Sequence, residues 1–294
     1  MFQQIVEKEM GILRYILLIL AVIIVLFPIY WMVSTSLKPQ VDWMATPPVW
    51  VPKRPVIENY QVLFMEVKKE YGTGGTEWIG GAFIPASRSI MSSAIIAGLG
   101  TFFSIIIGIL AAFGISRHRM GGASFPLMIL MIRMIPPVVS IIPLIVLYSN
   151  LHLIDTYQGL IIAYTLFTAP YSIWMIKSFV DDIPKELEEV GIAEGLTPLE
   201  THFKITLPLI KGGVVATALF VLILNWSEFL FALVLTHGNI VTIPVQETRY
   251  FTYSGVQYGP QTALGTLAII PLFVFGFFIQ KYLVRGLTFG AIKR

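Results

Sequence analysis

Six long apolar runs, separated by short polar segments, constrain this chain more than any other feature. They cover about residues 12–36, 89–115, 124–149, 157–180, 209–236 and 262–286. Crossing a hydrocarbon core takes about 20 apolar residues at a rise of 1.5 Å each, so every run is long enough to span. The first, GILRYILLILAVIIVLFPIYWMVSTSL, far exceeds the 7–15 residues of a signal-peptide core and reads as an uncleaved span. Composition agrees: 56% of the 294 residues are hydrophobic and 13% charged, against about 25% charged in soluble domains, and mean hydropathy is +0.78. A water-soluble globule is excluded. The expected fold is an all-α integral membrane protein of six transmembrane helices, a single domain over residues 1–294, without short repeats or low-complexity tracts.

The chain has no cysteine, which excludes a disulfide framework, a thiolate metal site and a cysteine nucleophile. Net charge is +3, but the 20 Lys and Arg are scattered between apolar runs rather than gathered in a stripe, so nucleic acid is not an expected partner. The basic residues instead report topology, because cytoplasmic flanks carry the Lys/Arg excess. One side holds Lys8, Arg14, Arg117, Arg119, Lys177, Lys185, Lys204, Lys211, Lys281, Arg285, Lys293 and Arg294. The other holds Lys38, Lys53, Arg54, Lys68, Lys69, Arg88 and Arg249, mostly in one long loop (residues 38–87) where acids balance them. Both termini are therefore expected in the cytoplasm. The long first loop is external and rich in Pro and Gly (Pro47, Pro48, Pro52, Pro55, Gly72, Gly74, Gly75).

The segment 181–208, between the fourth and fifth runs, is polar yet carries dense helix punctuation. Pro184 suits a first helical position, and Gly195 suits the left-handed position that ends a helix, which predicts a helix from Pro184 to Glu194. Thr197, Pro198 and Glu200 then form a capping box that starts another, and Pro208 marks the bend into the fifth run. The result is an elbow projecting from the membrane. Leu187, Val190, Gly191 and Glu194 share one stripe of the first helix. On pattern alone, that stripe suits a connector lying against its own bundle as well as a docking surface.

The elbow resembles the EAA loop of permease subunits in binding-protein-dependent ABC importers: Glu-Ala-Ala, two residues, Asp-Gly, then Ile-x-Leu-Pro after nine more. The matching positions are Glu189-Val190-Gly191, Glu194-Gly195 and Ile205-Thr206-Leu207-Pro208, with Val190 and Gly191 in place of the alanines and Glu194 in place of the aspartate. Ala112-Phe113-Gly114-Ile115-Ser116-Arg117, Met134-Ile135-Pro136-Pro137, Ile142-Pro143-Leu144, Asn225-Trp226-Ser227-Glu228-Phe229-Leu230 and the tail from Arg285 to Lys293 are similar to the carbohydrate-uptake branch related to the maltose importer's second permease.

The resemblance implies a cytoplasmic coupling helix that sits in a cleft of an ATP-hydrolysing subunit, with Glu188, Glu189, Gly191, Glu194, Gly195, Leu196 and Thr197 at the contact. It further implies a heterodimer with a second permease, two ATPase subunits, a soluble or lipid-anchored solute-binding protein and a carbohydrate or polyol as cargo, in the cytoplasmic membrane. The last external loop, with Tyr250-Phe251-Thr252-Tyr253 and Tyr258, would help contact the binding protein, although an interfacial aromatic belt explains such residues equally. No Lys follows a Gly, so the phosphate-cradling loop is absent. ATP and Mg are expected on the partner ATPase, and no cofactor is expected in this chain.

Irregularities mark a candidate path. Pro136, Pro137 and Pro143 fall in the third run, Pro170 in the fourth and Pro271 in the sixth, each removing a backbone hydrogen bond that lipid cannot replace. Kinks that merely shape packing are the competing account. A mid-span Arg costs about 2.5–3.5 kcal/mol on insertion scales, which singles out Arg133. From its place in the run, Arg133 lies too far from Glu228 for a direct pair. Arg133 is expected near the midplane, and Glu228 with Asn225 near the external mouth, either facing solute hydroxyls or bonding a neighbouring helix. Gly98, Gly100, Gly108, Ala112 and Gly114 suit close helix packing. The four His residues are solitary, and no nucleophile-elbow arrangement of Ser, His and Asp appears.

Two other classes compete. An ion-coupled secondary transporter wants midplane carboxylates, and only Glu228 lies within a run. An integral-membrane enzyme wants a cluster of catalytic residue types, and none is present.

Overall fold

The computed structural model describes the backbone of residues 2–64, 85–252 and 255–290, and the side chains of 14–64, 85–251 and 255–278. Expectations resting on Lys8, Lys68, Lys69, Gly72, Gly74, Gly75, Tyr253 and the tail from Arg285 to Lys293 lie outside the described residues or side chains.

The helices are α1 (Phe2–Ser36), α2 (Glu58–Phe64), α3 (Ala86–His118), α4 (Phe125–Ile132), α5 (Ile141–Asn150), α6 (Tyr157–Asp181), α7 (Lys185–Ala193), α8 (Pro198–Thr201), α9 (Leu207–Leu209), α10 (Lys211–Trp226), α11 (Leu230–Leu235), α12 (Ile243–Thr248) and α13 (Tyr258–Gly290). After α12, β1 (Phe251–Thr252) and β2 (Gly255–Val256) pair antiparallel, Phe251 opposite Val256.

Arg14–Ser36 of α1, α3, α6 and Tyr258–Phe278 of α13 are long and apolar enough to cross a membrane unaided. The expected third and fifth spans are not continuous helices. In the third, α4 and the segment Pro137–Asn150 meet at 81°. Pro136 and Pro137 remove two successive backbone donors there, and a 3₁₀ turn, Pro137–Ser140, leads into α5. At the entry to the fifth, Lys211–Trp226 is bent by 78° from the elbow segment Pro198–Leu209 at Ile210, so the bend falls two residues beyond Pro208. That span is interrupted again at Ser227–Phe229, before α11. With each bent pair counted as one span, the described residues supply six.

The chain divides into two compact units, residues 1–86 with 247–269 and residues 87–246 with 270–294. In the first, α1 exposes Tyr15 to Phe27 almost continuously, as a lipid-facing helix does, and turns polar and buried at Ser34, Thr35, Ser36 and Lys38. Asn59 of α2 explains how that polar end is tolerated. Its Nδ2 donates to the carbonyls of Ser36 and Lys38, both at 2.9 Å, giving partners to groups a helix end leaves open.

In the second unit, α3 packs on α6 through small residues spaced four apart. Ser104 and Ser172 share a hydroxyl–hydroxyl bond of 2.6 Å. A Cβ on Gly108 would stand 2.8 Å from Ser172 Cβ, and one on Gly100 would stand 3.0 Å from Tyr164 Cβ. Close approach is therefore what these glycines permit. Gly98 faces open space and takes no part. Below this seam, Ala112, Ile176, Val180 and Ile210 form a buried cluster where α3, α6 and the start of α10 converge.

Candidate coupling site

The elbow is built from local signals. Pro184 is the N-cap rather than the first helical residue, and α7 runs from Lys185 to Ala193. Glu194 is its C-cap, and Gly195 follows at φ +93°, the left-handed conformation glycine adopts without a Cβ penalty. Thr197 then caps α8 in a complete capping box: its hydroxyl accepts from Glu200 N–H, and the Glu200 carboxylate accepts from Thr197 N–H. That N–H bond, followed by Lys204 and the Thr197 hydroxyl, lowers the Glu200 carboxyl to about 2. A π turn, His202–Thr206, carries the chain into α9.

The inner face of α7 is polar. Glu188 and Gly191 are buried, whereas Leu187, Val190 and Ile192 point away from the protein. Glu188 Oε2 accepts from Arg117 Nε at 2.8 Å, and Glu188 Oε1 accepts from the Thr206 hydroxyl at 2.5 Å. Arg117 Nη2 also donates to the carbonyls of Val180 at 2.9 Å and Ile183 at 3.0 Å. One guanidinium thus joins the end of α3, the end of α6 and the elbow. A Cβ on Gly191 would stand 2.5 Å from Ile205 Cδ1, so α7 lies close against the π turn.

His202 lies beside this tie, fully buried and stacked on Phe113 with ring centroids 4.3 Å apart. Both its ring nitrogens lack partners, and burial lowers its pKa, Glu188 opposing and Arg117 reinforcing that shift.

The outer face carries exposed Leu187, Val190, Ile192, Leu199 and Phe203, with Lys185, Glu186, Glu189, Glu194, Glu200 and Lys204 exposed around them. An apolar patch with a charged rim on an otherwise polar projection suits another protein's surface. Of the residues singled out from sequence, Glu189, Glu194, Gly195 and Thr197 are exposed, Leu196 is half-buried, and Glu188 and Gly191 face inward. Sequence reasoning missed Arg117 and Thr206 as Glu188's partners and His202 as their neighbour. No local spacing signals a contact between positions 71 apart.

The residues expected along a path separate into two places. Arg133 is the C-cap of α4, with its guanidinium 3.5 Å above the Phe167 ring and 4.8 Å from that of Tyr171. Pro136 follows it in the break and caps the 3₁₀ turn. Asn225 is buried, its Nδ2 donating to Thr101 Oγ1 at 3.1 Å. The Glu228 carboxylate accepts the N–H groups of Phe231 at 2.9 Å and Ala232 at 3.3 Å, which caps α11. Arg133 and Glu228 form no pair. In the last loop Tyr250 is buried and Phe251 exposed.

Residues 104–289 match the family model described as "Binding-protein-dependent transport system inner membrane component". The probable ABC transporter permease protein y4oR of Sinorhizobium fredii is 34% identical over 268 residues, 91% of this chain and 90% of that protein. The trehalose/maltose transport system permease protein MalG of Thermococcus litoralis is 31% identical over 289 residues, covering 96% of this chain and 98% of that one. Among solved structures, a chain of a bacterial ABC transporter involved in the import of the acidic polysaccharide alginate superposes with a TM-score of 0.72 at 19% identity, covering 94% of this chain and 97% of that one. The last likeness is one of fold.

Proposed function

We infer the activity from one premise: the chain belongs to the family of binding-protein-dependent transport system inner membrane components. It is a multi-pass inner-membrane protein, the permease of an ABC importer, and it works with other subunits of that importer. The cargo is a carbohydrate or related polyol, a reading supported by the trehalose/maltose relative that aligns along nearly the whole chain. ATP, with Mg, is hydrolysed by two copies of a separate ATPase subunit. A second, different permease completes the bundle, a solute-binding protein delivers the cargo from outside, and both termini and the elbow lie in the cytoplasm.

The observation that carries this reading is the elbow's division into two faces. Leu187, Val190, Leu199 and Phe203 are offered outward, while Glu188 is joined inward to Arg117. Force applied to the outer face reaches α3 and α6 through a short, buried polar contact, and a rigid, doubly capped lever transmits it with little loss. Glu189, exposed beside the patch, and Gly195, which sets the angle, are the residues of this lever. The ion-coupled alternative wants a free midplane carboxylate, and Glu228 is instead engaged by α11.

The test is uptake of labelled disaccharide into proteoliposomes containing the assembled importer. Transport that requires ATP and the binding protein, and persists after the membrane potential is collapsed, supports the assignment; transport that follows the ion gradient without ATP defeats it.

A further inference from the structure

We propose that Arg133 recognises an anion on the translocation path, and that the carbohydrate or polyol carried bears an acidic group such as a carboxylate, sulfonate or phosphate. The proposal rests on the carbohydrate reading above.

Depth comes first. Phe167 is ten residues from Tyr157 and Tyr171 ten residues from Asp181, the two ends of α6, so each ring sits about 15 Å from the nearer end. The guanidinium stacked between them is therefore at the middle of a spanning helix. Lipid is an untenable neighbour at that depth, so this face meets protein or water.

Charge comes second. The six apolar runs of the sequence hold one carboxylate, Glu228, and its oxygens accept the N–H groups of Phe231 and Ala232. Arg133 enters none of the ion pairs among the described residues. Its Nε is buried without a hydrogen-bond partner, and Nη2 reaches the Tyr171 hydroxyl only at 3.5 Å. Among the described residues nothing supplies its counter-charge, which we place on the solute.

Preorganisation comes third. Phe167 and Tyr171 fix the plane of the guanidinium without neutralising it, and Phe220 packs edge-on against Tyr171 with centroids 5.8 Å apart. The site is open: Phe220 and Met134 are exposed, and the non-helical backbone at Pro136 lies in the same break. Irregular backbone at membrane depth is tolerated where it lines a wet cavity or is covered by protein. A solute bearing only hydroxyls is served by neutral donors and acceptors. A fixed, permanently charged fork instead matches an oxyanion, with which it forms charge-assisted bonds.

The experiment measures uptake of matched pairs, glucuronate with glucose and lactobionate with lactose, by the complete importer in proteoliposomes, for wild type, Arg133→Lys and Arg133→Gln. We expect wild type to favour the anionic member, Arg133→Gln to lower the anionic-to-neutral ratio at least tenfold, and Arg133→Lys to restore part of it. A ratio that Arg133→Gln leaves unchanged overturns the proposal while leaving carbohydrate transport intact. Loss of the second permease from the purified Arg133→Gln complex also overturns it, because Arg133 then answers a carboxylate of that subunit. Uptake of no member of either pair by wild type defeats the carbohydrate reading itself, and this proposal with it.

Discussion

Arg117, in the last turn of α3, donates to Glu188 of α7 at 2.8 Å, and the two side chains are only 8% and 10% exposed. The same guanidinium donates to the carbonyls of Val180, in the last turn of α6, and of Ile183, just beyond it, so the elbow is joined to two spanning helices at one point. Removing one partner of a buried pair leaves an uncompensated charge and typically costs about 3–5 kcal/mol. Glu188→Gln and Arg117→Ala should therefore uncouple the importer: ATP hydrolysis continues while uptake per ATP falls at least tenfold. Paired uptake and phosphate-release assays check this, and unchanged stoichiometry would mean that the pair transmits nothing.

Gly191 is a matter of space. The atom a Cβ would meet is Ile205 Cδ1, the far end of a side chain that can turn away, and alanine gains about 1 kcal/mol of helix propensity. Gly191→Ala should keep uptake within about twofold, whereas Gly191→Val, with two more methyls pressed on the π turn, should lose most of it. Rescue of the valine variant by Ile205→Val would establish the contact.

Gly195 is a matter of backbone. Nothing lies within 4 Å of its would-be Cβ, so only φ +93° penalises substitution. Asparagine tolerates the left-handed region better than alanine, and β-branched valine tolerates it worst. Uptake should fall in the order Asn, Ala, Val while insertion and assembly persist, as measured by surface labelling and co-purification.

His202 gives the elbow a pH dependence. Burial holds its folded pKa below the ordinary 6.5, so the unfolded segment binds more protons as pH falls, and the stability contributed by the neutral ring is lost below about 6.5. The purified complex should melt at lower temperature at pH 5.5 than at pH 7.5, and His202→Phe should flatten that difference. An equally steep decline in the variant would assign the effect elsewhere.

Glu228 separates structure from ion coupling. As a cap of α11 its removal should follow cap energetics, with Glu228→Ala losing about 0.5–2 kcal/mol and Glu228→Gln, which keeps an acceptor, losing less. Full ATP-dependent uptake by Glu228→Gln fits the cap; abolished uptake in that variant would point to a proton or cation site.

What was legible in the sequence is what depends on neighbours along the chain. Thr197, Pro198, Glu200 and Gly195 announce the elbow because capping and left-handed turns are decided within a few residues. The spans are legible from length and hydropathy. The orientation of α7 was not, because its pattern fits a connector lying on its own bundle as well as a docking face; the structure turns Leu187 and Val190 outward and buries Glu188 against Arg117, 71 residues away in sequence, and Thr206. The break at Ser227–Phe229 carries neither proline nor glycine, and it exists because Glu228 starts a new helix there. Arg133 stood out by its charge, but its seat on Phe167 and Tyr171 depends on how α4 meets α6.

The chain contains no cysteine, so Val190→Cys, at a residue 58% exposed on the outer face of α7, introduces a single reactive thiol. Thiol cross-linking in inverted membrane vesicles carrying the whole importer should produce one adduct between this chain and the ATPase subunit. A thiol alkylated only from the opposite side of the membrane, or an intact complex that yields no such adduct, would contradict the assignment of the elbow as the surface through which ATP hydrolysis moves the permease.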